Sequence, residues 1–171
     1  MPSELVFQAH LVSQDQRKLY DYWRQSAGQR MMPARKDIDP IAIPELLSGM
    51  SLMDVGENAE TLTYRVAGTR LHDIFGVEVT SKRLFDLELG DKRHYWLTAY
   101  NRVIGQQTAM QGAVKGPFAG RDHLILFWLR LPLSDDGHAV NKILCYDIAL
   151  PAARESGSVD EVCAGFTARR L

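Results

Sequence analysis

Residues 123–133 read HLILFWLRLPL, a run in which both sets of alternating positions are almost entirely apolar. A strand with one face in water alternates apolar and polar residues, so this run predicts a strand that is covered on both faces. Two neighbouring strands are predicted at 109–115 and 140–150, with Asp135 to Gly137 as the turn before the last one. The three strands are expected to form an antiparallel meander.

An earlier β-hairpin is predicted from an alternating pattern that starts near residue 50. Residues 50–55 and 62–67 alternate in polarity, and the segment 56–60 between them opens with glycine and supplies the turn. Together with the meander, the hairpin predicts an antiparallel sheet of five strands.

An amphipathic helix is predicted before the first strand. Ser13 and Gln16 have the spacing of a capping box, in which each side chain accepts a hydrogen bond from a free backbone N–H. The helix runs over 13–28, and its apolar face carries Leu19, Tyr22, Trp23 and Ala27. This helix is the predicted cover for the outer face of the sheet.

Three more helices are predicted from residues that can cap their first turns. They are a short helix over 40–47 capped by Asp39, a short helix over 69–75 capped by Thr69, and a longer helix over 92–104 capped by Asp91. Gly76 and Gly105 are placed to end the second and third of these, since glycine readily takes the left-handed conformation. The order of elements predicts an α+β domain with helices on one concave face of the sheet.

The composition excludes several classes of protein. The chain of 171 residues suffices for one domain, and 46% apolar with 24% charged residues is typical of a globular protein. The net charge of -1 provides no field that would gather nucleic acid, and the basic clusters lack interleaved aromatic residues. No apolar run has the length of a membrane helix, and no signal peptide is recognised. A cytoplasmic location without membrane or nucleic-acid partners is therefore predicted.

Three segments are predicted along the chain. Residues 1–12 form an N-terminal extension, 13–150 a single domain and 151–171 a C-terminal tail. In the tail, Ser158 and Glu161 have the spacing of a second capping box and predict a short amphipathic helix. A solitary helix of this length is marginal in water, so the tail is either frayed or docks its apolar face. A homodimer through one of the flanking helices is expected.

Five stretches of the sequence resemble one family. They are LYDYW at 19–23, PARKDIDP at 33–40, PELL at 44–47, YRVAGTRLHDIFG at 64–76 and LILFWLRLPL at 124–133. With the order of predicted elements, they resemble PAS domains, and in particular a bacterial, alphaproteobacterial-type PAS-like family first described as a domain of unknown function. The resemblance implies a PAS-like α+β fold. It also implies a non-catalytic sensory or regulatory role in signal transduction, with a small molecule or a signalling protein as partner.

A ligand site is expected between the short helices after Gly68 and the long helix. Its candidate residues are Tyr64, Arg65, Arg70, Phe75, Tyr95, Trp96 and Tyr100. The aromatic stripe on the long helix has two interpretations, core packing or the lining of a cavity, because helical spacing serves both. The two arginines on either side of Gly68 are either solvated or face an anionic ligand.

The sequence gives no evidence for flavin, haem or a metal. The helix after the hairpin lacks the Asn-Cys-Arg sequence of flavin-photosensing PAS domains, and the spacing of Cys145 and Cys163 is not that of metal ligands. His94 lies near the start of the long helix, where haem-binding members carry their ligand; it is interpreted as an exposed or cap-proximal side chain. The alternative function is a small-ligand enzyme on a curved sheet, although the common catalytic motifs are absent from the sequence.

Overall fold

The computed structural model describes residues 2–153 and 167–168. Its α-helices are α1 (Pro2–Ala9), α2 (Gln14–Ala27), α3 (Thr69–Phe75) and α4 (Arg93–Gln106). Its strands are β1 (Met50–Asp54), β2 (Thr63–Ala67), β3 (Met110–Lys115), β4 (Leu124–Leu133), β5 (Lys142–Pro151) and β6 (Thr167–Ala168). Short 3-10 helices occupy the connections, at Arg35–Asp37, Pro40–Ala42, Pro44–Gly49, Ala59–Thr61, Leu84–Asp86 and Gly90–Lys92.

The strands form one antiparallel sheet in the order β2-β1-β5-β4-β3-β6. The two central strands, β4 and β5, pair along their whole length, from Leu124 opposite Pro151 to Leu133 opposite Lys142. The predicted five-stranded sheet is confirmed, and the two-residue strand β6 adds to its edge beside β3. The helix predicted from Ser158 and the second cysteine, Cys163, lie outside the described residues.

The N-terminal helix α2 covers the outer face of the sheet, as predicted. Leu129 of β4 lies opposite Tyr146 of β5, so their side chains share a face, and the Tyr146 hydroxyl donates to Asp15 of α2 at 2.9 Å. Trp23 is 1% exposed, and its indole N–H donates to the Pro132 carbonyl of β4 at 2.9 Å. The almost entirely apolar pattern of β4 is explained because α2 covers this face and α4 packs on the other.

Helix α1 lies in the segment for which the sequence predicts only an extension. Its Phe7 side chain is buried against Tyr20 of α2, with 4.9 Å between ring centroids, and Gln111 of β3 donates to the Phe7 carbonyl at 2.7 Å. The segment has neither a capping box nor the length of a helix that is stable by itself. Its helix is therefore stabilised by tertiary contacts, which sequence reasoning did not anticipate. None of the helices in residues 2–153 is long and apolar enough to span a bilayer.

Two predicted caps are wrong. Gly68, and not Thr69, is the residue that precedes the first turn of α3. A Cβ atom at Gly68 would lie 2.2 Å from the Leu47 carbonyl oxygen, so only glycine fits at the residue before this helix. Asp91 belongs to the 3-10 turn Gly90–Lys92, which runs directly into α4 and already bonds the Lys92 N–H to the Leu89 carbonyl.

Two predicted helix limits also differ. Helix α4 continues past Gly105 to Gln106, and Gln107 takes the left-handed conformation with φ 52°. The side chain of Gln107 donates to the His138 carbonyl, which ties the end of the helix to the loop after β4. The helix predicted over 40–47 is divided into two 3-10 turns, because a proline at position 44 disfavours the α conformation at the residue before it.

Two glycines provide a matched pair of opposite predictions. Gly68→Ala should lower the free energy of unfolding by about 1–3 kcal/mol, because the added methyl overlaps backbone carbonyls that cannot move away independently. Gly105→Ala should raise it by about 0.5–1 kcal/mol, since Gly105 is an exposed helical residue whose Cβ would meet no atom within 4 Å. Urea unfolding of both variants measures the two changes. Equal effects at the two positions would contradict the close approach at Gly68.

Candidate functional site

The inner face of the sheet carries a buried ion pair beneath α4. Arg130 of β4 donates from Nη2 to the Asp147 carboxylate of β5 at 2.9 Å, and from Nε to the Tyr100 hydroxyl of α4 at 2.8 Å. The side chains of Arg130 and Asp147 are only 2% and 3% exposed. The pair therefore joins the two central strands to the long helix inside the core.

Three aromatic rings surround the charged end of Arg130. Its guanidinium carbon lies 5.5 Å from the ring centroids of Trp96 and Tyr100 and 5.6 Å from that of Trp128. The Trp96 and Trp128 rings are themselves in contact, with 5.7 Å between centroids. A cation is attracted to the face of an aromatic ring, most strongly where water is excluded. We refer to Arg130, Asp147 and these three aromatic residues as the Arg130 cage.

Burial and charge act against each other within the cage. Burial raises the pKa of Asp147, and the neighbouring Arg130 opposes that rise. Burial acts most strongly on the pKa of Arg130 and lowers it, but Asp147 and the neighbouring Tyr100, Cys145 and Tyr64 together raise the pKa above its ordinary value. Asp147 Oδ2 has no hydrogen-bond partner in the described part of the chain. The charge on Asp147 therefore depends on Arg130.

The structure brings together five of the seven candidate ligand residues. Trp96 and Tyr100 are buried in the cage, and Tyr95 accepts a hydrogen bond from the Trp128 indole at 2.9 Å. Tyr64 is buried and meets Phe75 edge to face, with 5.8 Å between centroids. Burial raises the pKa of Tyr95 to about 12 and that of Tyr64 and Tyr100 well above its ordinary value. These phenols are therefore neutral packing groups.

The other two candidate residues, Arg65 and Arg70, lie apart from this aromatic group. Arg65 is on the edge strand β2, where its side chain is 69% exposed and 3.8 Å from Asp54. Arg70 is half-buried near α2, with Nη1 3.3 Å from the Tyr146 hydroxyl and Nη2 3.3 Å from Ser48. His94 is exposed in the first turn of α4. The two arginines thus do not face one common ligand.

A crevice of about 230 Å³ opens beside the aromatic group. Phe75 and Phe118 form its apolar part and stack on each other with 3.9 Å between ring centroids. The remaining lining residues come from the segment after α3 and from the loop before β4, and they are Val77, Lys82, Asp86, Leu87, Glu88 and Ala119. We call this site the Phe118 crevice.

The Phe118 crevice is connected to the Arg130 cage by ring contacts. Phe118 stacks on Trp96 with 5.8 Å between centroids and 12° between planes. The Trp96 indole N–H donates at 2.9 Å to the Pro117 carbonyl, the residue before Phe118. A displacement of Phe118 would therefore directly change the contacts of Trp96, one of the rings of the cage.

Sequence reasoning missed the residues that organise this site: Phe118, Trp128, Arg130 and Asp147. One signal for two of them was present. An arginine in LILFWLRLPL and an aspartate in ILCYDIAL, residues 143–150 of the next strand, are isolated charges in otherwise apolar segments. Since buried charges are paired, two adjacent strands that each carry one such residue favour an ion pair. No comparable signal marks Phe118.

A family model described as PAS domain matches residues 11–146, which is most of the chain. The chain therefore belongs to the PAS domain family, whose members are generally non-catalytic sensory and regulatory domains. Comparison with curated proteins and with solved structures gave no match.

Proposed function

We propose that this chain is a regulatory domain without catalytic activity that binds a small molecule in the Phe118 crevice and passes the binding event to helix α2. The observation that carries the proposal is the position of α3. Phe75, at the carboxyl end of α3, lines the crevice, and Arg70, in its first turn, contacts Tyr146. Tyr146 in turn donates to Asp15 of α2.

Helix α3 is suited to transmit a displacement. It has seven residues and is about 10 Å long, so both of its ends respond to one rigid movement. Leu71 and Ile74 hold it against the core, whereas Arg70 and Phe75 are only half-buried. A ligand that shifts Phe75 would therefore change the distance between Arg70 and the Tyr146 hydroxyl, now 3.3 Å.

The distribution of ionisable groups supports binding without catalysis. Strongly perturbed pKa values are typical of catalytic residues, but here the groups with shifted pKa values do not line the crevice, and three of them, Arg130, Cys145 and Asp147, are buried in the core. Burial raises the pKa of the Cys145 thiol to about 11, which keeps it protonated and a poor nucleophile. Within the described ranges, no group of His, Cys, Asp and Glu side chains is arranged to hold a metal.

A metabolite library screened by ligand-detected NMR tests the proposal. We expect compounds whose binding is lost in Val77→Glu, a substitution that places a charge at an exposed lining residue without touching the core. Such a compound should also change amide hydrogen exchange in α2 of the wild type. That change should disappear in Arg70→Met and persist in Arg65→Met, the matched control on the edge strand.

Two results would overturn the proposal. The first is a screen in which no compound is sensitive to Val77→Glu. The second is a crevice-binding compound that leaves hydrogen exchange in α2 unchanged, because α3 would then not couple the two sites.

A further inference from the structure

We infer that the Phe118 crevice takes a small aromatic molecule that carries both an ammonium group and a carboxylate, the chemistry of an aromatic amino acid. The inference rests on the proposed function, because it names the ligand class of the same crevice. It is carried by the two stacked rings and the unpaired charges of both signs that line the crevice together.

The apolar part of the crevice fits one aromatic ring system. Phe75 and Phe118 present stacked rings, and Val77 and Leu87 add aliphatic surface beside them. Aromatic rings prefer offset-stacked or edge-to-face contacts with such partners. The volume of about 230 Å³ is below the roughly 300–1,000 Å³ of most ligand pockets. The site is thus large enough for one ring system with a short chain and too small for a dinucleotide.

Three charged side chains line the same crevice: Lys82, Asp86 and Glu88. In the described part of the chain, none of them has an ion-pair or side-chain hydrogen-bond partner, and Lys82 does not pair with either carboxylate. Other acidic residues of the fold do have cationic partners, among them Asp37 with Arg30 and Asp54 with Lys142. The charges of the crevice are therefore free to meet a ligand.

The signs of these charges select a zwitterion. The ammonium group of an amino acid would face Asp86 and Glu88, while its carboxylate would face Lys82. A ligand with only a carboxylate would meet two like charges, and a ligand with only an ammonium group would leave Lys82 without a partner. Charge complementarity governs specificity more than affinity. Ligands that share a ring but differ in charge should therefore bind this crevice with different affinities.

Three ligands that share the indole ring test the charge requirement. L-tryptophan carries both charged groups, tryptamine only the ammonium group and indole-3-propionate only the carboxylate. By titration calorimetry or NMR, L-tryptophan should bind most tightly. Lys82→Met should weaken L-tryptophan about two- to fivefold, the range of one exposed ion pair, and leave tryptamine unchanged. The double variant Asp86→Asn, Glu88→Gln should weaken L-tryptophan and tryptamine but not indole-3-propionate. Lys36→Met and Glu57→Gln, exposed and outside the crevice, are the matched controls.

The outcomes separate this inference from the proposed function. If tryptamine or indole-3-propionate binds as tightly as L-tryptophan, or if the crevice variants behave like the controls, the ligand class is wrong. The proposed function then stands as long as another compound binds in a manner that Val77→Glu abolishes. If Val77→Glu weakens the binding of no compound of any charge, both the ligand class and the binding site are wrong.

Discussion

Replacing Arg130 by methionine should lower the free energy of unfolding by about 3–5 kcal/mol at neutral pH, the range found when one partner of a buried ion pair is removed. Asp147 would remain in the core with neither its cation nor a hydrogen bond from Arg130 Nη2. Urea unfolding followed by far-ultraviolet circular dichroism measures the loss. Methionine retains apolar contact with Trp96, Tyr100 and Trp128, so the lost charge and its hydrogen bonds account for most of the change.

The loss in Arg130→Met should also depend on pH. Burial raises the pKa of Asp147 in the folded protein, and without Arg130 nothing opposes that rise. A carboxyl group whose pKa is higher in the folded than in the unfolded protein contributes its full stability below the unfolded pKa, roughly 3.9 for Asp, where Asp147 is protonated. That stability is lost as pH rises through the folded pKa. The gap between variant and wild type should therefore narrow as pH is lowered from 7 towards 4.

A double variant separates the ion pair from simple packing. Arg130→Met combined with Asp147→Leu removes both charges, and exchange of a buried pair for apolar residues is often neutral or stabilising. We expect it to recover most of the stability that Arg130→Met loses. A double variant as unstable as the single one would show that the shape of the Arg130 side chain, and not its charge, is what the core requires.

Trp23→Ala should cost about 3–5 kcal/mol of unfolding free energy, as deletions of large buried aromatic side chains do. Trp23 is 1% exposed, packs beside Tyr20, and holds α2 to β4 through its hydrogen bond to the Pro132 carbonyl. Gln25→Ala, at an exposed position of the same helix, should change the stability by less than about 0.5 kcal/mol. A loss below about 1 kcal/mol in Trp23→Ala would mean that α2 is not a structural part of the domain.

Trp23→Phe then divides that effect into its two causes. Phenylalanine keeps most of the apolar contact but cannot donate to the Pro132 carbonyl, which leaves a buried acceptor unsatisfied. The expected cost is about 1–3 kcal/mol, so this variant should lie between Trp23→Ala and the wild type in denaturant unfolding.

The sheet and its coverage could be predicted because they depend on patterns within single segments. The apolar run of β4 required cover on both faces, and α2 and α4 supply it. The caps at Thr69 and Asp91 could not be predicted in the same way. Gly68, the residue before α3, lies against a carbonyl 21 positions earlier in the chain, at Leu47, and local capping rules do not include such distant contacts.

Part of the candidate site could also be predicted, because that part depends on a pattern within a single segment. Tyr95, Trp96 and Tyr100 share one helix, so their proximity follows from helical spacing. The crevice depends on two loops that meet only in the folded protein, one carrying Val77 to Glu88 and the other carrying Phe118. The sequence around Gly68 does not specify on which side of the sheet Arg70 will lie. The predicted homodimer stays a prediction, which analytical ultracentrifugation at several concentrations can check.

The two indoles of the Arg130 cage, Trp96 and Trp128, are close enough for their electronic transitions to couple, with 5.7 Å between centroids and 59° between planes. Such coupling produces a signed circular-dichroism band that neither ring gives alone. Trp23, the third tryptophan of the chain, belongs to α2 on the opposite side of the sheet and does not contribute to that band. Assembly of the interior can therefore be followed optically without a label and separately from the docking of α2.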